Sequence, residues 1–480
     1  MKRGPAGARR PGARGGARGL GAAAARETPA GVGRASGRRP TGRRPVPAGA
    51  GRRVELPEPA RGGPSSRRPR VRTVRARPAP PAGVPLLELA PGRERSVEHG
   101  HPWIFDGAVR ESPRGLEPGA TVAVVDAEGG FLAMAACNPA SRILARVWSR
   151  KPESIDERWF ERAVARALAR RDPARLASPR AALRLVHAES DGLPGLVCDR
   201  YGDTLVLQFN SAGAERHRES LLSALLQATA PLGVRHAFER SDEDMRRLEG
   251  LPAAEPAPLA GQPAPQVAID EQGLVFDVPI AAGQKTGFFL DQRDSRARVR
   301  SLAQGSRVLD VFCYTGGFSL AALAGHAARV TAIDASAAAI ERLVAQAARA
   351  GVAAPRLDAQ VADAFVALRE LRNRGAQFDL IVLDPPKFAP TAATVPAAAR
   401  AYKDVNLLAL KLLAPGGRLF TFSCSGAVSA DLFQKIVAGA AADAGLPVRL
   451  VARLGPAEDH PVLLSFPEGD YLKGLLCAVD

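Results

Sequence analysis

The sequence predicts an α/β protein whose C-terminal part, residues 271–480, forms a doubly wound, mainly parallel sheet of the Rossmann-like type. Four short apolar runs alternate there with helical segments: RVLDVF (307–312), RVTAID (329–334), FDLIVLD (378–384) and GRLFTFS (417–423). Such runs are typical of strands buried on both faces, and their alternation with helices indicates a sheet that binds its ligand at the strand C-terminal ends. Between two of them, residues 338–351 predict a helix with Ile340, Leu343, Val344 and Ala347 on one face, ending at Gly351.

Residues 308–320, VLDVFCYTGGFSL, predict a strand, a tight turn and a helix. The turn contains Tyr314, Thr315 and Gly316, and its glycine pair lets a ligand approach the backbone beside a helix N-terminus. Neither the dinucleotide fingerprint nor the phosphate-binding loop pattern occurs here. Asp310 would repel a phosphate but can accept hydrogen bonds from an amino group, such as that at the methionine end of S-adenosylmethionine.

Polar side chains stand at the ends of the four predicted strands: Asp310, Asp334, Asp384 and Cys424. Asp334 closes the second strand, where an acid accepts both hydroxyls of an adenosyl ribose. Asp363 lies in the following connection, and a helix cap explains it equally well.

Asp384 opens the run Asp-Pro-Pro-Lys-Phe, which also contains Lys387. Two prolines after a buried strand fix the backbone, so the carboxyl group faces outward and suits the polar edge of a planar base. A simple strand-ending turn is the alternative interpretation. The run also resembles the Asp-Pro-Pro of methyltransferases that act on amines.

Cys424, in TFSCSG, decides between two chemistries. Methylation of cytosine C5 requires a thiolate that adds to C6 and pushes electrons to C5. Alternatively, Cys424 is buried and inert. The enzyme would then methylate a nitrogen atom of the base, using the Asp-Pro-Pro-Lys run. Cys313, near the turn, is interpreted as a packing residue.

The N-terminal part of the chain divides into three segments. Residues 1–83 have 21 Lys and Arg against 3 Asp and Glu and few aliphatic residues, which predicts a disordered tail that either binds phosphate backbones or only solubilises the protein. Residues 84–160 predict a small β-rich domain, and residues 161–270 a central α+β domain. The central domain contains a hairpin turning at residues 201–203 and a proline-rich loop or linker at 251–268.

Composition limits the class of protein. The remaining residues carry 45 basic against 46 acidic side chains, so the net charge of +17 is no evidence that the folded part binds nucleic acid. Five cysteines without a C-x-x-C pair indicate a reducing, cytoplasmic compartment with no disulfide framework and no metal site. No apolar run is long enough to span a membrane.

From residue 86 to the C-terminus, the sequence resembles the ribosomal RNA large-subunit methyltransferase I family, which forms 5-methylcytosine in 23S ribosomal RNA. The resemblance rests on these motifs: HPWIF, ESDGLPGL, GQKTGFFLDQRDSR, CYTGGF, DPPKF, YKDVN, TFSCSG and DHPV with YLKG. It implies an N-terminal RNA-binding PUA domain, a central domain and a class I S-adenosylmethionine-dependent methyltransferase domain.

The resemblance also implies roles for individual residues. Cys424 would be the nucleophile, Asp384 would face the base, and Lys387 would be catalytic with it. The cofactor pocket would be formed by Lys285, Thr286, Gln292, Asp310, Tyr314, Thr315, Gly316, Asp334 and Asp363. His460 would be structural.

The implied partners are S-adenosylmethionine and 23S ribosomal RNA, with no metal and no membrane. The oligomeric state stays open, a homodimer included. A different class of function is also compatible with the sequence: an RNA-binding ribosome assembly factor that retains the fold without turnover. Within HPWIF, the aromatic side chains are expected either to fill the core or to stack on bases.

Overall fold

The fold is described from a computed structural model, which covers residues 77–283, 285–389 and 391–480. The predicted disordered tail lies almost wholly outside the described residues. Within the described ranges, no helix is both long enough and apolar enough to cross a bilayer.

The first domain is a six-stranded sheet whose interior comes from alternating apolar residues of short strands. Its elements are β1 (Leu86–Leu89), α1 (Glu94–Glu98), β2 (Trp103–Ile104), β3 (Val109–Glu111), β4 (Ala120–Val125), β5 (Phe131–Cys137) and β6 (Ala145–Ser149). The strand order is β2-β6-β5-β4-β1-β3, in which β1 and β4 run parallel and the other neighbours antiparallel. The predicted small β-rich module is therefore present.

The central domain combines a five-stranded sheet with helices. Its elements are α2 (Glu157–Leu168), α3 (Pro173–Ala177), β7 (Ala182–His187), β8 (Leu196–Tyr201), β9 (Thr204–Phe209), α4 (Ala212–Arg216), α5 (Arg218–Thr229), β10 (His236–Glu239), α6 (Glu243–Leu248) and β11 (Ala257–Ala260). The strand order is β11-β10-β9-β8-β7. The predicted hairpin is confirmed, because β8 and β9 pair antiparallel around residues 202–203.

The prediction of a loop throughout residues 251–268 is wrong. Pro258 lies in β11, which pairs antiparallel with β10 at the edge of the central sheet. Proline is tolerated at a sheet edge because only one side of an edge strand needs ladder hydrogen bonds. Gln266 already begins β12 (Gln266–Glu271), which forms a two-stranded hairpin with β13 (Leu274–Pro279).

The C-terminal domain is a seven-stranded sheet with helices on both faces. Its elements are α7 (Arg293–Leu302), β14 (Arg307–Val311), α8 (Gly317–Ala324), β15 (Arg329–Asp334), α9 (Ala337–Arg349), β16 (Leu357–Val361), α10 (Ala364–Asn373), β17 (Phe378–Leu383), α11 (Val395–Leu412), β18 (Leu413–Ser423), α12 (Ala430–Ala444), β19 (Val448–Leu454) and β20 (Lys473–Val479). The strand order is β16-β15-β14-β17-β18-β20-β19. The first five strands run parallel, and β20 is antiparallel to both of its neighbours. The predicted doubly wound, mainly parallel sheet is confirmed.

Helix α9 shows where the periodicity prediction holds and where it fails. Ile340, Leu343 and Ala347 are buried against the sheet as predicted, but Val344 is 49% exposed. Val344 follows Leu343 by only one residue, so a step of about 100° takes it to the margin of the apolar stripe.

The buried carboxylate of Asp459 connects the central and C-terminal domains. Arg293 binds Asp459 through two hydrogen bonds of 3.0 and 2.9 Å, and the same carboxylate accepts the backbone N–H of Arg184 at 3.0 Å. His460 contacts Asp459 through Nδ1 at 3.0 Å and is itself buried. The bond from Arg184 holds the segment before β20 against β7, and His460 packs beside it.

Candidate active site

The turn after β14 adopts the strained conformation that its sequence requires. Phe312 and Tyr314 have positive φ angles of 63° and 49°, and Gly316 follows with φ 82°. A Cβ atom on Gly316 would lie 2.1 Å from Cδ1 of Leu343, so only glycine permits this approach of the turn to α9. Backbone strain of this kind persists where the surrounding fold enforces it, and it is concentrated at ligand sites.

Asp310 is fully buried at the end of β14 beneath this turn. The hydroxyl of Ser319 donates to its Oδ2 at 2.6 Å, while Oδ1 has no hydrogen-bond partner among the described residues. Burial raises the pKa of Asp310 to about 7, although the bond from Ser319 opposes this. A buried carboxylate with an unused oxygen is suited to a cationic amino group, which would supply the missing donor.

Asp334 ends β15 next to the same turn. Its two oxygens accept the backbone N–H groups of Tyr314 and Ser336, both at 2.8 Å. Each oxygen keeps a second lone pair for a ligand hydroxyl. Thr315 is buried, and its carbonyl accepts from Gln346, which anchors the turn to α9.

Asp384 follows β17, which pairs in parallel with β14, so it lies at the same edge of the sheet as Asp310. Removal from bulk water and the nearby charge of Asp291 raise the pKa of Asp384 to about 7, and the amide of Gln292 lowers it in part. Both amide atoms of Gln292 are buried, and although the amide lies near Asp384, no group among the described residues meets hydrogen-bond geometry with either atom. An acid with a pKa near 7 is equally able to donate and to accept a proton at neutral pH.

Cys424 follows β18 and is half-buried, whereas the other four cysteines are buried. Its Sγ lies 3.9 Å from the carbonyl oxygen of Pro385 and therefore borders the Asp-Pro-Pro run. Burial raises the pKa of the Cys424 thiol, as do Asp384 and Asp291, while Lys285 lowers it. The four polar groups predicted to converge at the strand ends do meet at one edge.

A hydrogen-bond network that the sequence did not reveal holds together the loops that follow β17 and β18. Tyr402 of α11 contacts Ser423 at 2.9 Å and Ser425 at 3.1 Å through its hydroxyl group. The Ser425 hydroxyl in turn accepts the backbone N–H of Ala389 at 3.1 Å. Tyr402 lies in the motif YKDVN, so the signal was present in the sequence, but its partners are distant along the chain.

Three other residues predicted for the site, Thr286, Asp363 and Lys387, lie in different surroundings. Thr286 is buried, donating to Asp199 at 2.5 Å and contacting Tyr201 at 3.0 Å, so its hydroxyl is already occupied. Asp363 is exposed and caps α10 by accepting the N–H of Val366 at 3.0 Å. Lys387 is exposed. The described ranges contain no group of three or more His, Cys, Asp or Glu side chains that could hold a metal ion.

Comparison with known proteins identifies two of the domains. Residues 222–475 match the family model of S-adenosylmethionine-dependent methyltransferases, and residues 87–150 match that of PUA-like domains. Fold and site together define a class I S-adenosylmethionine-dependent methyltransferase with a PUA-like domain.

Curated relatives identify the family within this class. Ribosomal RNA large subunit methyltransferase I of Erwinia tasmaniensis is 45% identical over 394 residues, which cover 82% of this chain and 99% of the relative. The protein of the same name from Escherichia coli O9:H4 is 44% identical over 400 residues, with coverage of 82% and 99%. The chain belongs to the ribosomal RNA large subunit methyltransferase I family.

Solved structures share the fold at low sequence identity. SMU.776, named as a methyltransferase and complexed with SAH, has a TM-score of 0.72 at 22% identity, covering 82% of this chain and 100% of that chain. A SAM-dependent methyltransferase from Streptococcus mutans gives a TM-score of 0.71 at 22% identity with the same coverage.

The buried Asp310 carboxyl predicts a pH-dependent affinity for S-adenosylmethionine. Because the carboxyl group must lose its proton to pair with an ammonium group, affinity should weaken about tenfold per pH unit below 7 and level off above it. Isothermal titration calorimetry between pH 5.5 and 8.5 measures this directly.

Asp310→Asn should remove the pH dependence and bind S-adenosylmethionine weakly at every pH. Asp379→Asn is the matched control, since Asp379 is a carboxylate of β17 that pairs with Arg307 on the protein surface. A wild-type dissociation constant that stays flat from pH 5.5 to 8.5 would contradict the assignment.

Proposed function

We propose that this protein forms 5-methylcytosine in 23S ribosomal RNA, with Cys424 as the covalent nucleophile. The observation that carries the proposal is the position of the half-exposed Cys424 thiol beside the Asp-Pro-Pro run that presents Asp384. A nitrogen nucleophile needs no thiol, whereas C5 of cytosine becomes nucleophilic only after addition at C6. The names of the relatives support the ribosomal RNA substrate and, with it, a cytoplasmic location.

Asp310 and Asp334 would hold the cofactor at its amino group and its ribose hydroxyls. S-adenosylmethionine supplies an electrophilic methyl group when bound. Gln292, whose buried amide lacks a partner among the described residues, lies near enough to Asp384 to lower its pKa and would orient a bound group. Lys285, Tyr314, Thr315 and Gly316 complete the proposed pocket, while Thr286 and Asp363 are assigned to it on the resemblance alone.

The target cytosine must leave its base stack, because C6 is inaccessible inside a helix. Cys424 loses its proton and forms a bond to C6, which shifts an electron pair toward C5. Asp384, as a neutral acid, donates to N3 and accepts from the exocyclic amino group. After C5 has taken the methyl group, N3 returns its proton to the Asp384 carboxylate. The C5 proton then passes to water, and the electron pair of the C5–H bond restores the ring double bond and expels the Cys424 thiolate.

The test is methyl transfer to protein-free 23S ribosomal RNA followed by nucleoside mass spectrometry. The proposal requires 5-methylcytosine in the product and no methylated nitrogen. A product methylated on nitrogen would replace the proposal with the amine chemistry of the Asp-Pro-Pro-Lys run. Cofactor binding without any transfer to free RNA or to ribosomal precursors would indicate a non-catalytic assembly factor.

A further inference from the structure

The loop that carries the Cys424 thiol, residues 424–429 between β18 and α12, is anchored on both sides of the sulfur. On one side, Ser423 ends β18 and belongs to the hydroxyl network described above. On the other side, the backbone carbonyl of Ser425 accepts a hydrogen bond from the ammonium group of Lys473 at 2.9 Å. A charged side chain therefore binds the residue next to the thiol.

Lys473 is itself placed by the sheet. It opens β20 and lies opposite Ser423 in the antiparallel pairing of β18 with β20. Two residues earlier, Tyr471 donates its hydroxyl to Oδ2 of Asp291 at 2.6 Å and anchors the approach to the strand. Because the backbone of β20 is fixed by these contacts, a substitution of the Lys473 side chain should leave the strand in place.

The ammonium group of Lys473 is buried but has few partners. Only 6% of the residue is exposed, and among the described residues the bond to the Ser425 carbonyl is the one hydrogen bond of this ammonium group, which forms no ion pair there. An ammonium group has three N–H donors, and a buried charge is costly unless an opposite charge pairs with it. A neutral donor would satisfy a carbonyl at lower cost. A cation held in this way is suited to an anion that forms nearby.

We propose that Lys473 is the positioning residue of Cys424: it fixes the loop through the Ser425 carbonyl and holds beside the thiol a positive charge that stabilises the thiolate. This assignment rests on the proposed nucleophilic role of Cys424 and names the group that activates it. The anion is the thiolate and not an RNA phosphate, because so little of Lys473 is exposed. The thiol proton leaves for solvent, which reaches the half-buried Cys424.

Several titratable side chains face the thiol: Lys285, Asp291, Asp384, Tyr402 and Lys473. Burial raises the pKa of the Cys424 thiol, Lys285 lowers it, and the two acids raise it further. Lys285 already has a carboxylate partner, since its Nζ lies 4.0 Å from Oδ2 of Asp291. Lys473 has no carboxylate partner among the described residues, so its charge remains available to the sulfur.

The charge of Lys473 also depends on the thiol. Burial lowers the pKa of Lys473, whereas the charges of Asp470 and of ionised Cys424 raise it and that of Lys387 lowers it. Opposite charges that lie close together in a poorly hydrated site stabilise one another. Ionisation of Cys424 and protonation of Lys473 therefore favour each other.

The experiment is the rate at which iodoacetamide alkylates Cys424 between pH 6 and 10, measured by peptide mass spectrometry on the full chain. Lys473→Gln keeps an N–H donor for the Ser425 carbonyl but loses the charge. It should slow alkylation about three- to tenfold at pH 7.5 and move the midpoint of the profile to higher pH. Lys473→Arg, which keeps the charge, should restore most of the rate.

Two control variants separate the charge from the anchoring of the loop. Tyr402→Phe removes a hydroxyl that anchors the loop but changes no charge at neutral pH, so its midpoint should stay at the wild-type value. A midpoint displaced as far in Tyr402→Phe as in Lys473→Gln would overturn the role of the charge. Lys435→Met removes a lysine that pairs with Asp431 on the exposed face of α12 and should match the wild type.

Alkylation requires neither RNA nor methyl transfer, so its outcome is independent of the proposed function. A displaced profile in Lys473→Gln together with a wild type that makes no 5-methylcytosine would support the effect of Lys473 on the thiol and reject the function. An unchanged profile in Lys473→Gln would overturn the assignment even if 5-methylcytosine is formed. If thermal unfolding shows that Lys473→Gln is not folded, Lys473→Met, whose apolar side chain suits a buried site, takes its place with the same expected result.

Discussion

Cys424→Ala should lower the rate of 5-methylcytosine formation by about a thousandfold or more, because without the thiolate C5 of cytosine remains a poor nucleophile. Binding of S-adenosylmethionine should be retained, since Asp310 and Asp334 do not depend on the sulfur atom. Single-turnover transfer from labelled cofactor to 23S ribosomal RNA measures the first effect, and calorimetry the second.

Cys477→Ala is the matched control for this variant. Cys477 is buried in β20, which pairs with β18, and its side chain contributes to the core on the α12 side of the sheet. Its removal costs a small cavity on the order of 1 kcal/mol and should leave the transfer rate nearly unchanged. Activity of Cys424→Ala close to that of the wild type would show that the thiol is only structural and that methylation occurs on nitrogen.

Asp384→Asn should have the second-largest effect, a loss of about a hundredfold to a thousandfold in the single-turnover rate. An amide keeps the two hydrogen bonds to the base edge but cannot give a proton to N3 when the thiolate adds. The loss should appear at saturating S-adenosylmethionine, because the defect lies in the chemical step.

The role of Asp384 as an acid also predicts how the single-turnover rate changes with pH. The reactive form needs Asp384 protonated and Cys424 ionised; the pKa of Asp384 is about 7, and the pKa of the thiol is raised above its ordinary value. Below pH 7 the wild-type rate should rise about tenfold per pH unit, because the fraction of ionised Cys424 rises at that rate. Above pH 7 the rate should level off, because the fraction of protonated Asp384 falls as fast as the thiolate fraction rises. In Asp384→Asn the rise should continue through pH 8.

Asp379→Asn, on the strand that precedes Asp384, should keep the level region of the wild-type profile. A profile of Asp384→Asn that also flattens at pH 7 would assign the acid to another group. Saturating cofactor separates this titration from that of Asp310, which acts on binding.

The sequence was sufficient for the parts of the fold that depend on local pattern. The buried strands β14, β15, β17 and β18 read as continuous apolar runs, and the glycine turn at Gly316 marked the start of α8. Strand β16 was not predicted, because LDAQV is a half-exposed edge strand with no uniform pattern. Strand β11 was not predicted either, because it contains Pro258. The pairing of β11 with β10 depends on tertiary position and not on local preference.

The candidate site was predictable where the fold alone brings residues together. Parallel strands end at one edge, so Asp310, Asp334, Asp384 and Cys424 could be grouped from their places in the chain. Asp291, Tyr402 and Tyr471 were not predicted, because they act through partners more than 20 residues away, such as Tyr471 on Asp291. Each of the three lies in one of the motifs that carry the family resemblance, but the motif does not indicate which partner its side chain contacts.

The most direct test of the covalent mechanism is a trapping experiment with RNA that contains 5-fluorocytidine at the methylated position. Fluorine replaces the C5 hydrogen, so the final elimination fails, and the bond between Cys424 and C6 should persist after methyl transfer. Denaturing electrophoresis should then show an RNA–protein adduct that carries the labelled methyl group, with the crosslinked peptide containing Cys424. A methylated product released without any adduct, or an adduct formed by Cys424→Ala, would contradict the mechanism.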